Sequence, residues 1–313
     1  MIDYISEQMN QPWAYFGIDS IWMVLICFFV ALPCSQLGSF LVLRRMSLVG
    51  DAISHSVLPG IVIAFIYTGD LSSPWLLFGA AIAGLLVTVL IEQIHQRTRI
   101  KQDSAIGIAF TSLFALGIVL MGVFTRDVHL DVDCVLEGDI PHIIHDERIN
   151  LLGFDMPASL ISMGGVAVGT VLMIVLFYRV LMLSSFDEGL AASYGYLPGI
   201  VHYCMMALLS VIVVSAFQAV GAILVIALLI LPGATAYMCT HRLKLMLVLA
   251  GVHALISSIA GMYLHVWVNG KISAAVVVSG AALFVLAWLF GPADGIVIKA
   301  IQRRRNELDE EKA

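Results

Sequence analysis

The sequence predicts an all-α, polytopic membrane protein: a bundle of eight or nine transmembrane helices with no domain suited to water. Three observations predict it. Of the 313 residues, 60% are hydrophobic and only 12% are charged, whereas a soluble domain carries about a quarter charged residues. The apolar residues fall in runs of about 20, the length that crosses a hydrocarbon core ~30 Å thick. The charges are segregated between those runs, so the net charge of -6 describes loops and forms no basic stripe for nucleic acid. About 300 residues also cannot enclose a core large enough to hide this much apolar surface from water.

Taken in order, the spans read as 18–43, 46–67, 74–95, 104–124, 157–182, 200–217, 219–240, 245–268 and 273–290. The sixth and seventh almost touch at Gln218, which is why eight and nine both stand. The first 17 residues lack a basic stretch followed by a cleavage site, so the first run reads as a retained span. Cys27, Cys34, Cys204 and Cys239 lie in apolar runs and Cys134 in a polar one. With no CxxC or Cys/His spacing they read as small buried hydrophobes rather than a disulfide framework. The whole chain, 1–313, reads as one transmembrane domain with an outer loop at 125–156, an inner segment at 184–199 and a short inner tail at 299–313.

Orientation follows from the lysines and arginines. With nine spans and the N-terminus outside, thirteen of the sixteen fall inside; only Arg126, Arg148 and Lys271 fall outside. That bias places the C-terminus in the cytoplasm. Spans two and seven share a pattern: Val49-Gly50 precedes Leu58-Pro59-Gly60, and Val220-Gly221 precedes Leu231-Pro232-Gly233. Proline and glycine interrupt helices, so Pro59, Gly60, Pro232 and Gly233 are expected helix breaks. Such breaks in corresponding, oppositely directed spans mark transporters built on inverted repeats.

The chemistry concentrates at Asp51 and His55. Four residues apart, they share one face of a helix. A carboxylate at the centre of a membrane helix costs about 2.5–3.5 kcal/mol even on the lenient insertion scale. Counting from Arg44 and Arg45 at the inner interface, Asp51 lies roughly 10 Å and His55 roughly 16 Å deep, close to the midplane where transporters hold substrate. One carboxylate and one imidazole suit a divalent first-row metal, Mn(II) or Zn(II), better than calcium, which takes oxygen alone. A proton relay would use the same two residues, and an aspartate capping a late-starting span would need no ligand.

The stretch RRMSLVGDAISHSVLPG (44–60) resembles the signature of the manganese/zinc/iron ABC metal permeases, LRRMSLLGDALSHAVLPG. Phe186-Asp187-Glu188-Gly189-Leu190-Ala191-Ala192-Ser193-Tyr194-Gly195 is similar to that family's cytoplasmic FDPELARALG. The stretch AVGAILVIALLILPGATA (219–236) is similar to its AVGVLLVVALLILPAATA. Glu188-Gly189 replaces a Pro-Glu pair, which bears on how the short helix starts, and Gly233 replaces an alanine. The resemblance covers nearly the whole chain. It implies the fold of the cobalamin-type importers, Asp51 and His55 as ligands of a transported Mn, Zn or Fe ion, and no permanently bound cofactor.

The resemblance further implies that 184–199 is a coupling helix docking on an ATPase, with Phe186, Asp187, Glu188, Leu190, Ala191 and Gly195 as its contact residues. On its own composition the segment reads as a helix of two or three turns ending at Gly195 and Pro198. No GxxxxGK[ST] occurs, so the chain is not itself an ATP-hydrolysing enzyme and the ATPase is another chain. The expected partners are cytoplasmic ATPase subunits, a second permease subunit, identical or paralogous, an extracytoplasmic metal-binding protein and the lipid of a bacterial inner membrane. A proton-coupled secondary metal transporter is the alternative; it would need no docking helix. An intramembrane metalloprotease is disfavoured because HExxH and GxSxG are both missing. The acidic, histidine-bearing outer loop reads as solvated, and His253, His265, Glu92 and Met238 as packed or interfacial residues. Gly165 and Gly169 read as a weak small-residue helix contact.

Overall fold

The computed structural model describes residues 17–69, 74–124, 148–151 and 154–299. The helices are α1 (Ile18–Leu43), α2 (Val49–Ser56), α3 (Leu58–Thr68), α4 (Pro74–Arg97), α5 (Gln102–Phe124), α6 (Ala158–Leu176), α7 (Tyr178–Phe186), α8 (Glu188–Ser193), α9 (Pro198–Val220), α10 (Ala222–Cys239), α11 (Leu243–Val268) and α12 (Ile272–Phe290). Among the described residues nine spans are long and apolar enough to cross a membrane, α2 and α3 forming one of them. The sixth and seventh runs are separate helices. Gly221 between them takes φ 81°, ψ 161° and closes α9 through its N–H to the Phe217 carbonyl, a conformation essentially reserved for glycine.

Three features differ from expectation. The fifth run divides at Phe177 (φ −99°, ψ 16°) into α6 and α7; no proline or glycine stands there, and nothing in the local sequence explains the turn. A short antiparallel hairpin, β1 (Arg148–Leu151) with β2 (Phe154–Pro157), pairs Arg148 with Pro157 and Leu151 with Phe154 just before α6. The rest of the expected outer loop, with Cys134 and its histidines and acids, lies outside the described residues, as does the tail beyond Lys299. Finally, the two Leu-Pro-Gly sequences behave differently. The second span does break, at Val57, with Pro59 in the first turn of α3. Pro232, by contrast, stands inside uninterrupted α10, so Pro232 and Gly233 are not a helix break. The proline costs one backbone hydrogen bond, which packing within a bundle offsets, and Gly233 rests against the backbone of Ser39, where a side chain would be crowded.

The chain forms two compact units. The first takes α1, the hairpin, the start of α6, most of α10, α11 and α12. Here α11 packs on α1 and α12, Gln36 Nε2 donates to the Leu247 carbonyl at 2.9 Å, and the backbone of Leu229 occupies the space a side chain on Gly38 would need. Without a hydrophobic drive between helices in lipid, such small-residue contacts and buried hydrogen bonds hold the bundle. After α12 the Met238 carbonyl accepts the N–H groups of Ala293 and Asp294 at 3.3 and 3.2 Å. The hydrogen bond from Lys299, at 2.5 Å, holds the Asp294 carboxyl below the usual carboxylate range.

The second unit takes α2–α5, the end of α6, and α7–α9. In it α2 packs on α4, α5 and α9, while α3 packs on α4 and α5. Gly60 and Gly79 meet backbone to backbone, and Gly84 lies against Ser210 and Ile53. These glycines let α3 and α4 approach closely enough to fix α2, the helix that carries the polar pair. Around Gly165 and Gly169 the space a side-chain carbon would fill is open, with no atom within 4 Å. Among the described residues, then, they make no helix contact within this chain.

Candidate metal centre

Asp51 and His55 lie in α2, an eight-residue helix whose other positions are mostly buried: Val49, Gly50, Ala52, Ile53, Ser54 and Ser56 all face inward. The buried hydroxyls are satisfied within the helix, Ser54 Oγ donating to the Gly50 carbonyl at 2.9 Å and Ser56 Oγ to that of Ala52 at 2.6 Å. The remaining face therefore offers only the carboxylate and the imidazole. His55 Nε2 lies 3.3 Å from Asp51 Oδ1, with the side chains 30% and 35% exposed. The imidazole is bracketed by Phe110 and Phe114 of α5, ring centroids 6.1 and 5.6 Å away, which restricts its rotation and keeps it beside the carboxylate.

The break after α2 bears on the same residue. Four positions beyond His55 stands Pro59, which has no N–H, so the His55 carbonyl lacks its ordinary helical donor. Among the described residues no group of three or more His, Cys, Asp or Glu side chains converges as a metal site. One chain thus presents two donor side chains on an open face, half of a tetrahedral set.

The loop after α7 folds as the short helix α8. Asp187 caps it, its carboxylate accepting from the Leu190 N–H at 2.8 Å, so the Glu188-Gly189 departure leaves the start intact. At the other end the Gly195 N–H bonds the Ala192 carbonyl and the Tyr196 N–H the Ala191 carbonyl, at 2.9 and 3.1 Å, with Gly195 at φ 83°. That is a Schellman closure on the residue type it favours. At six residues the helix is shorter than the two or three turns expected. Phe186, Leu190 and Tyr194 are exposed, at 62%, 44% and 70%, whereas Ala191 is wholly buried and anchors α8 to its own unit instead of facing outward.

Sequence reasoning missed a second polar cluster. Glu92 of α4 pairs with His202 of α9, Oε2 to Nε2 at 3.4 Å, both about 15% exposed, and Glu92 also accepts from Gln96. Arg44 Nη1 faces His202 Nδ1 at 3.5 Å and Nε donates to Ser185 Oγ at 3.1 Å. Burial pulls the Arg44 guanidinium below its ordinary pKa, and the charge of Glu188 opposes that shift. A carboxylate inside an apolar run was the available signal, since it needs a partner. Elsewhere, both ring nitrogens of His253 are buried with no hydrogen-bond partner among the described residues, and His265 Nδ1 contacts the Gly270 carbonyl at the end of α11.

Known proteins resemble this chain along almost its full length. The model of the ABC 3 transport family matches residues 20–291. The zinc transport system membrane protein TroD of Treponema pallidum is 41% identical over 287 residues, 92% of this chain and 78% of TroD. The manganese transport system membrane protein MntD of Bacillus subtilis is 37% identical over 282 residues, 90% of this chain and 95% of MntD. Among solved structures, a chain of PsaBC from Streptococcus pneumoniae in complex with Fab aligns with a TM-score of 0.73 and 33% identity, over 92% of this chain and 97% of that one. A metal-chelate type ABC transporter in an inward-facing conformation, 16% identical with a TM-score of 0.57, is alike in fold alone.

Proposed function

The chain belongs to the ABC 3 transport family, and from that premise we propose that it is the permease of an ATP-driven importer of a divalent transition metal: Mn(II), Zn(II) or Fe(II). The observation that carries the proposal is the Asp51–His55 pair, 3.3 Å apart on one face of a short helix inside a membrane span. A carboxylate offsets the charge of a hard or borderline cation, and an imidazole adds a nitrogen donor that first-row metals accept. The names of the relatives, zinc for TroD and manganese for MntD, support Mn and Zn as cargo; the donor set alone admits Fe as well.

The whole chain acts as one permease domain, and two permeases, identical or paralogous, make the pore. Two donors from each complete a four-ligand site that still releases its ion, because a conducting site binds weakly enough for turnover. The α7–α8 corner docks in a groove of a cytoplasmic ATPase through Leu190 of α8 and the flanking Phe186 and Tyr194, large side chains left exposed around that short helix. An extracytoplasmic binding protein delivers the ion. The N-terminus lies outside a bacterial inner membrane and the C-terminus in the cytoplasm, as the positive-inside rule requires.

The test is reconstitution with the ATPase in liposomes. ATP hydrolysis stimulated by Mn(II) or Zn(II), with ATP-dependent accumulation of the ion, is the expected result. Ion accumulation driven by a proton gradient without ATP would replace this reading with a secondary transporter.

A further inference from the structure

Arg44 stands in the turn that enters α2, seven residues before Asp51, and its side chain reaches three other elements of the same unit. Nε contacts Ser185 of α7, Nη1 faces His202 of α9, and Glu188, the first residue of α8, acts on it through charge. His202 then carries the connection to Glu92 of α4. The direction of each hydrogen bond follows from the groups involved. A guanidinium only donates, so His202 Nδ1 accepts, and Nε2 holds the ring proton that faces Glu92. Ser185 Oγ donates to the Leu181 carbonyl at 2.6 Å and is therefore free to accept from Arg44. The contacts thus run in a consistent donor-to-acceptor order from the turn before α2 through to α4.

This cluster is an expensive way to hold helices together. Glu92 and His202 are largely withdrawn from solvent, and Arg44 Nη2 is buried without a partner among the described residues. Buried ion networks are weak sources of stability, and apolar side chains of similar volume hold such a site as well or better. What the network supplies is a directional tie. Within its unit α8 packs on α7 and α9, and Arg44 grips both of those helices close to α8. The turn beyond it is anchored at its far end: after Arg45 at φ 58°, Met46 is 7% exposed and its carbonyl accepts the Val49 N–H at 3.1 Å.

We infer that Arg44 is a positioning residue for transport: through Ser185 and the His202–Glu92 pair it ties the α7–α8 corner to the turn that sets the place of Asp51 and His55. A push on α8 then moves the ion-binding helix instead of being lost in side-chain motion. The inference rests on the reading of α8 as the ATPase contact and of Asp51 and His55 as ion ligands.

The test uses the permease–ATPase complex in liposomes with Mn(II) as the probe. Arg44→Lys keeps the charge but loses the two-armed donor; His202→Gln keeps a polar side chain but loses the fixed ring. In both, the ratio of Mn(II)-stimulated to metal-free ATP hydrolysis falls about fivefold or more, the scale of an ordinary coupling between sites, while complex yield and metal-free hydrolysis are retained. A purely structural role would lower yield and thermal midpoint and leave that ratio at the wild-type value in the assembled fraction, which overturns the inference. The triple variant Arg44→Met/Glu92→Met/His202→Leu decides if a single variant fails to assemble: lost stimulation supports the tie, and wild-type stimulation removes it. A wild-type complex that neither Mn(II) nor Zn(II) stimulates would instead sink the importer reading itself.

Discussion

His55 Nε2 lies 3.3 Å from Asp51 Oδ1, so the carboxylate and the imidazole sit side by side on one face of α2. That separation is about the edge between two ligands of a tetrahedral first-row metal with bonds of roughly 2.0–2.1 Å, so an ion that binds them gains two ligands already at coordination spacing on one face. The other positions of α2 are mostly buried apolar or small residues packed within the unit, so the fold of the helix does not depend on this one pair. Asp51→Asn and His55→Ala should therefore leave expression and ATPase binding at wild-type levels and cut metal uptake more than about tenfold, the order seen when metal ligation is disturbed. Uptake measured by mass spectrometry of cell metal at matched expression checks this; wild-type uptake in both variants would remove the ligand assignment.

Asp187 and Gly195 close the two ends of α8. Replacing the Asp187 cap with alanine costs about 1 kcal/mol, and an alanine at Gly195, held at φ 83°, costs roughly 1–2 kcal/mol. A helix of six residues has little else to hold it. Asp187→Ala and Gly195→Ala should both lose ATPase co-purification and ATP-driven uptake while the protein still inserts and runs as a monodisperse species in detergent. Co-purification and uptake unchanged in both would refute the docking role.

Gly60 and Gly79 meet backbone to backbone, and a side-chain carbon on either would collide with the backbone of the other. Gly60→Ala should destabilise the protein by about 1–3 kcal/mol, the usual cost of overpacking. A fluorescence-detected thermal shift in detergent measures it. Gly165→Ala, placed in open space on α6, is the control and should leave the midpoint unchanged or slightly raised.

Cys134 is the only thiol in the sequence between α5 and α6. With the other four cysteines replaced, it should react with an impermeant maleimide in intact spheroplasts. Reaction only after permeabilisation would invert the proposed topology.

The parts of the molecule legible in the sequence are those set by local rules. Span length follows from the bilayer, the Asp51–His55 face from a four-residue spacing, and the end of α8 from a glycine needed at positive φ. What escaped sequence reasoning depends on tertiary partners. Glu92 and His202 are 110 positions apart; a carboxylate in an apolar run signals that a partner is needed but not which residue supplies it. The two Leu-Pro-Gly sequences make the same point: identical triplets give a break before Pro59 and a continuous helix through Pro232, a difference the local sequence does not encode. The turn at Phe177 had no local signal either.

The closure of α8 at both ends bears on how fast and how tightly a partner can seize it. A segment this short is ordinarily unstructured in isolation, and a partner that must order it gives up about 0.5–1.5 kcal/mol for each side chain it immobilises, besides the backbone. Here the carboxylate of Asp187 and the turn at Gly195 have already done that ordering, so a partner of the kind proposed above would meet a finished shape. A contact on such a preformed helix can be small and still firm, and it can be released and remade repeatedly without a folding step each time.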